Sequence, residues 1–398
     1  MISLRNEWNG DLVKRLVQAG IAAGAALLLT ACGSGSGDGG SGTAAAANGG
    51  GKKSTDVKTA SLAQADSLTV AYCHEIPSGN DEDPVYGLTL RSYSTKNGAL
   101  VAERSTVLPG DVEPMTVCES GDFRSLSTFA FNKDLTLVAG ITDAGESRRA
   151  AAYDVSTGKE VSPPDPDAFT ERAANKSAAF HPTTGILWYD EENTDSGEDG
   201  LGSRDARDGY STEKHLTTSQ AAGVVTRDAA STATALAANA WPHAVTPSGA
   251  IAADLSDIPA SGLTLALDRV TSDGGSSGGY KLTDLATKGL DGRETCAPAF
   301  WRDESHLVCG MQQITLAPDY SKVVKNEDLV PANDRSNMTP VPSPDGKRFA
   351  FLSGGEGGKL TLYQGDLASL GAQPVKIADL EPPMDGSAEH LETLVRWN

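Results

Sequence analysis

Apolar and polar residues alternate along this chain in short runs separated by turns, and the runs recur as one unit. The clearest copy begins at Val341-Pro342, turns at Ser343-Pro344-Asp345-Gly346 and continues as Lys347-Arg348-Phe349-Ala350-Phe351-Leu352. After a glycine-rich turn it resumes as Leu360-Thr361-Leu362-Tyr363. Pro-Asp-Gly combines a fixed φ, a side chain that bonds its own backbone, and freedom at positive φ, which together make a turn. Period-two alternation on both sides predicts half-buried antiparallel strands. The same order of strand, polar turn and strand appears around Phe129-Ala130-Phe131, Phe180-His181-Pro182, Val245-Thr246-Pro247 and Phe300-Trp301-Arg302. The copies lie about 40 to 65 residues apart, a period that belongs to stacked or circular repeats with loop insertions.

The two ends of the body complete each other. Residues 394–398, Leu-Val-Arg-Trp-Asn, read as the first strand of a unit with nothing after it. Residues 68–72, Leu-Thr-Val-Ala-Tyr, read as a second strand that lacks a first. Joined to residues 86–93 and 100–107 they make a four-stranded sheet, and a ring closed in this way leaves only short protected edges. The pattern around Pro344-Asp345-Gly346 resembles the repeats of TolB-type β-propellers, a bacterial cousin of WD repeats. Counting the composite sheet, the expected fold is an all-β, six-bladed β-propeller over residues 61–398, closed by pairing of the C-terminal strand with the N-terminal strands. Seven or eight blades, or tandem β-sandwiches, are the alternative. The repeat is weakest over residues 216–240, an Ala/Thr-rich stretch. The resemblance implies a partner-binding role. TolB itself has a further N-terminal α/β domain where this chain has only linker, so TolB's particular role is not implied.

The N-terminus has its own pattern. Arg5, Lys14 and Arg15 precede an apolar run over residues 16–29. A spanning helix needs about 20 apolar residues, so this run reads as a signal-peptide core. It ends in Leu29-Thr30-Ala31-Cys32, which resembles the lipobox of bacterial lipoproteins. That resemblance implies a leader over residues 1–31, a diacylglyceryl group on the Cys32 thiol, and cleavage that makes Cys32 the first residue. Two acyl chains give stable membrane attachment. Residues 32–60 hold the modified cysteine and a Gly/Ser/Ala linker too poor in apolar side chains to order itself. It predicts a tether with a reach of roughly 30 Å. The Gly/Ala/Thr/Asp-rich composition resembles lipoproteins of high-GC Gram-positive bacteria, which implies the outer face of the cytoplasmic membrane.

The formal net charge is −20. Losing the leader removes Arg5, Lys14 and Arg15 but also Glu7 and Asp11, so the body stays acidic. Such a charge argues against nucleic acid, which asks for a basic stripe. Besides Cys32 there are Cys73, Cys118, Cys296 and Cys309. An even count in an exported chain favours two disulfides. Of three connectivities the local pairs Cys73–Cys118 and Cys296–Cys309 are preferred, the second straddling a hairpin. A metal site on Cys296, Cys309 and His306 would lack a second close pair of ligands.

Searches for chemistry return little. The acidic run from Asp190 to Gly200 supplies Asp190, Asp195 and Asp199 as candidate Ca²⁺ ligands. It lacks the alternating Asp/Asn pattern with a distant Glu, and is expected as a long solvated loop. Gly274-Gly275-Ser276-Ser277-Gly278 matches a nucleophile elbow in letters but not in flanking elements. His74, His181, His215, His243, His306 and His390 are scattered over different repeats. Trp188, Trp241, Trp301 and Trp397 suit packing between sheets better than a binding face. The expected function is a tethered, non-catalytic binding module for an envelope protein, peptide or polymer, with no cofactor. The alternative is an extracellular hydrolase or lyase acting on cell wall or carbohydrate at the propeller mouth. Convergence of three or more histidines on one opening would favour the enzyme.

Overall fold

A computed structural model describes residues 54–76, 85–110, 112–114, 127–143, 148–162, 173–175, 178–181, 185–193, 199–217, 244–245, 251–255, 265–269, 280–282, 298–338, 340–355, 359–381 and 390–398. A helical turn, α1 (Ser54–Thr59), leads to β1 (Ser67–Ile76), β2 (Val85–Ser94) and β3 (Leu100–Val107). A second group holds β4 (Val112–Pro114), the short α2 (Ser127–Ala130), β5 (Leu137–Asp143) and β6 (Arg148–Asp154). The third comprises β7 (Ala173–Ala174), β8 (Ala178–Phe180), β9 (Ile186–Asn193), β10 (Asp199–Asp205) and β11 (Lys214–Thr217). β12 (Ala244–Val245), β13 (Ile251–Leu255), β14 (Leu265–Arg269) and β15 (Tyr280–Leu282) make the fourth. The fifth is β16 (Pro298–Asp303), β17 (His306–Cys309), β18 (Gln312–Leu316) and β19 (Val323–Asp328). The sixth is β20 (Ser336–Asn337), β21 (Val341–Pro342), β22 (Arg348–Gly354), β23 (Leu360–Asp366) and β24 (Val375–Asp379). Finally β25 (His390–Trp397) returns to β1, and the first sheet runs β25-β1-β2-β3. All pairings are antiparallel, and each sheet is otherwise contiguous in sequence.

The core lies between sheets, on both of their faces. On β1, Leu68, Val70 and Tyr72 pack with Ala350, Leu352, Leu360 and Leu362 of the sixth sheet. The alternate residues Ala71 and Cys73 pack with Phe131, Val138, Ala151 and Tyr153 of the second. The second sheet turns its other face, Leu137, Ala139 and Ile141, to Phe180, Leu187 and Tyr189 of the third. Phe349 and Phe351 lie on the opposite side of the sixth sheet, against Val308 of the fifth. A sandwich buries one face of each sheet. Burial of both faces between successive sheets is a propeller-like arrangement. Each buried Leu, Ile, Val or Phe among them contributes about 1.5–3 kcal/mol by leaving water. The first strands of successive sheets touch, β12 with β16, β16 with β21 and β21 with β25.

Three details differ from the sequence reading. Phe129-Ala130-Phe131 is no strand: α2 ends at Ala130, and only Phe131 bridges, to Val138. Asn132 causes the early turn, because its Oδ1 accepts from the backbone N–H of Thr136 at 2.8 Å and of Leu137 at 3.0 Å. The acidic run is not one long loop, since β9 reaches Asn193 and β10 begins at Asp199, with Glu192 paired to Asp199. Backbone hydrogen bonds supply that ladder whatever the side-chain charge. Lastly, α1 falls within the expected tether yet lies against β3. Leu29, Thr30, Ala31 and Cys32 lie outside the described residues, as do residues 218–240. Among the described residues no helix is long and apolar enough to cross a membrane.

Candidate functional site

The register of the first sheet sorts one of its faces into four ranks. The lowest is Trp397, Leu68, Tyr93 and Leu100. Above it stand Leu394, Val70, Arg91 and Glu103, then Glu392, Tyr72, Thr89 and Ser105. His390, His74, Gly87 and Val107 share the last register positions. The low ranks are apolar and join the cluster shared with the sixth sheet. Higher up the same face becomes polar. A strand buried on both sides accepts this only if its polar groups find partners.

They do. Arg91 donates from Nε to Glu103 Oε2 at 2.7 Å and from Nη1 to the Glu381 carbonyl at 2.6 Å. Its guanidinium lies 5.7 Å from the centre of the Tyr72 ring. The hydroxyls of Tyr72 and Tyr93 are 3.1 Å apart, and those of Thr89 and Ser105 3.0 Å. Burial raises the Tyr72 phenol well above its usual range, with Tyr93 adding to the rise. Tyr93 is also raised, chiefly by burial, against the hydrogen bond from Tyr72. Both therefore act as neutral donors and acceptors rather than bases. Burial, the largest single influence, works against the Arg91 charge, but the hydrogen bond to Glu103 and the electrostatic attraction of Tyr93, Glu103 and Tyr72 together lift the pKa above its ordinary value. Glu381 connects this seam to the sixth sheet, and Glu392 stands half-buried on the closing strand. The seam thus sets a paired cation, two neutral and buried phenols and flanking carboxylates on one face of the first sheet.

Two of the histidines, His74 and His390, are register partners on β1 and β25, and the other described ones lie in other sheets. His74 is on this face, where its ring covers Gly87: a Cβ there would lie 2.1 Å from its Cε1. His181 is buried at the turn between β8 and β9. His306 opens β17 directly after the turn from β16, its Nδ1 2.7 Å from Asp303 Oδ1. That carboxyl is held below the usual range: burial opposes the shift, while bonds from the Ser305 backbone and His306 drive it. His215 is on β11 and His390 on β25, and His243 lies outside the described residues. Trp188, Trp301 and Trp397 are buried, Trp397 in the cluster shared by the first and sixth sheets, whereas Trp241 lies outside the described residues. Asp190 and Asp199 belong to the β9–β10 ladder, and Asp195 lies outside the described residues. Among the described residues no group of three or more His, Cys, Asp or Glu could hold a metal ion. Cys73 is buried on β1 and Cys309 on β17, while Cys118 and Cys296 lie outside the described residues.

Sequence reasoning passed over Arg91, Tyr72, Tyr93, Glu103, Thr89 and Ser105. A signal was present: the run Leu88-Thr89-Leu90-Arg91-Ser92-Tyr93 places hydrogen-bonding groups at every second position of a central strand. On a strand with two buried faces, such positions mark a polar seam rather than a solvent side.

No family description and no curated protein matches the sequence. Solved structures with a similar course include a TolB from Agrobacterium tumefaciens, 11% identical, TM-score 0.37, covering 83% of this chain and 99% of that one. An oligogalacturonate lyase from Vibrio parahaemolyticus is 10% identical, TM-score 0.35, covering 80% and 75%. A puromycin-hydrolyzing peptidase from Mycobacterium tuberculosis is 17% identical, TM-score 0.33, covering 82% and 47%.

Proposed function

We propose that this chain is a lipid-anchored extracytoplasmic binding protein: a six-bladed propeller, tethered through Cys32, that holds an envelope protein, peptide or polymer without transforming it. The observation that carries the binding reading is the charged part of the seam of the first sheet, where Arg91, Glu103 and Glu392 are only half-buried and Glu381 is exposed. Six blades are supported by the six sheets among the described residues and by the return of β25 to β1. The anchor is supported by the leader, the Leu29-Thr30-Ala31-Cys32 sequence and the linker after it.

The disulfides Cys73–Cys118 and Cys296–Cys309 belong to the same proposal. In support, Cys73 and Cys309 are both buried and lie in different, non-adjacent sheets, which suits pairing of each with its near neighbour in sequence. β16 and β17 pair Pro298 with Cys309, and Cys296 is two residues before Pro298 in the sequence. That step is short enough for the roughly 4.4–6.8 Å between Cα atoms that a disulfide needs.

The test is cross-linking in living cells with a tagged copy, beside Cys32→Ala and a Glu392→Gln, Arg91→Gln double variant. A partner captured by the native chain and lost in both variants supports an anchored binding module acting through the seam. Recovery unchanged in the double variant would move the partner away from this face. Failure of the native chain to take up a fatty-acid label would remove the anchor.

A further inference from the structure

Between α1 and β1 the chain crosses the end of the first sheet as an arm. Arg104 of β3 donates from Nη1 to the Lys58 carbonyl and from Nη2 to the Ala60 carbonyl, the latter at 2.7 Å. Gln64 Nε2 donates to the Val101 carbonyl at 3.2 Å. Leu62, only 4% exposed, enters the cluster between the first and second sheets, where Phe131 and Val395 also lie. Its carbonyl accepts from Ser92 Oγ at 2.8 Å and from Asn398 Nδ2 at 3.5 Å. Beyond it, Asp66 N–H donates to the Asn398 carbonyl at 3.0 Å, and Asn398 N–H to the Ser67 carbonyl at 2.8 Å. The arm therefore grips the outer strand, a middle strand and the end of the closing strand together.

We propose that residues 58–66 are a latch on the closing strand, so that lifting the arm unpairs β25 from β1 while the other sheets stay folded. β25 is bound to a strand at the far end of the sequence, so its release frees only a terminal segment. Such segments open at lower free energy than the core. In the anchored reading given above, tension on the tether reaches this latch before any other part of the propeller. The latch itself does not depend on the anchor.

Hydrogen exchange read by mass spectrometry on the full chain tests this. Arg104→Gln removes both donors to the arm and leaves the β2–β3 register in place. The expected result is at least tenfold faster exchange over residues 58–66, with a matching rise over 67–72 and 390–397 and none over 348–366. Leu62→Ala should act in the same direction and more strongly; should it unfold the chain, Arg104→Gln decides. Acceleration confined to the arm, or absent from it, overturns the latch. Cys32→Ala should leave the exchange pattern unchanged while losing the fatty-acid label. A native chain that takes no label would refute the anchor and leave the latch standing.

Discussion

The first and sixth sheets have the same antiparallel design and opposite origins. The sixth is contiguous: β20 to β24 follow one another, and its turns are made locally. Ser343 Oγ donates to Asp345 Oδ1 at 2.6 Å, Arg348 N–H donates to Ser343 Oγ at 2.9 Å, and Gly346 takes φ 65°. The first sheet is assembled from both ends of the body, and its contacts include Arg91 to Glu381, 290 residues apart. Closure entropy grows by about 0.6 kcal/mol per doubling of loop length, so joining such distant segments costs about 3 kcal/mol more than a hairpin. The offset is visible in the closing strand. Arg396 donates from Nη1 to the carbonyls of Asn132 at 3.1 Å and Lys133 at 3.0 Å, and from Nη2 to that of Phe131 at 3.1 Å. Arg348 of the sixth sheet stacks on Trp397 at 4.7 Å. Burial pulls the Arg396 pKa down to about 10, with Asp134 opposing, which shows how much desolvation those three bonds must outweigh. A contiguous sheet needs good turns, whereas a composite one needs clasps.

Breaking each sheet where it is strongest should give different kinds of failure. Phe351 is 1% exposed and stacks on Phe349 at 5.9 Å and Tyr363 at 5.6 Å. Phe351→Ala should cost about 4 kcal/mol by transfer and cavity terms. Because the sixth sheet is continuous and packed on both faces, denaturant unfolding should remain a single transition with a lower midpoint. Arg396→Ala should cost about 2–3 kcal/mol, since three carbonyls lose a charged donor. Here the loss should be local: exchange should accelerate over residues 390–397 and 67–76 well before the sixth sheet responds. One common transition for both variants would show that the closing strand is not a separate unit.

A pair of glycines sharpens the contrast. A Cβ on Gly365 would lie 2.3 Å from Phe349 Cζ, and Phe349 is 0% exposed. A Cβ on Gly87 would meet the His74 ring, which is only half-buried. Gly365→Ala should therefore cost about 1–2 kcal/mol through overpacking, and Gly87→Ala less than about 0.5 kcal/mol. Equal losses in thermal unfolding would mean that His74 is as firmly held as Phe349.

The two sheets were also unequally legible. The sixth could be read directly, because Pro344-Asp345-Gly346 and the alternation around it state turn and strand in consecutive residues. Pairing of the last strand with β1 was legible through incompleteness, a first strand without a second and a second without a first. What holds that pairing was not, because Arg396 bonds carbonyl groups, and a carbonyl leaves no mark on the sequence. The second sheet misled for a related reason. Phe129-Ala130-Phe131 carries strand propensity, yet Asn132 draws the next residues into a turn through its side chain, and tertiary context overrides propensity. The polar seam needed the register: Arg91 and Glu103 become partners only once β2 and β3 are aligned.

The smallest expected effect comes from pH and separates turn-made from clasp-made order. Asp345 is held below its ordinary carboxyl pKa, first by the hydrogen bond from Ser343 and then by the Lys347 backbone N–H. A carboxyl whose pKa is lower in the folded state contributes stability above its unfolded pKa and loses it as pH falls through the folded value. Acidification from about pH 5 downward should therefore weaken the β21–β22 turn of the sixth sheet. The closing strand is held by Arg396 on neutral carbonyls, and that contact keeps its charge state throughout the same range. Exchange of residues 341–350 should accelerate on acidification relative to residues 393–397 after correction for intrinsic rates. Asp345→Asn should flatten that difference, because an amide can still accept from Ser343 and Lys347 but does not titrate. If the difference survives in Asp345→Asn, acid sensitivity of the sixth sheet arises from a carboxylate other than the one in its turn.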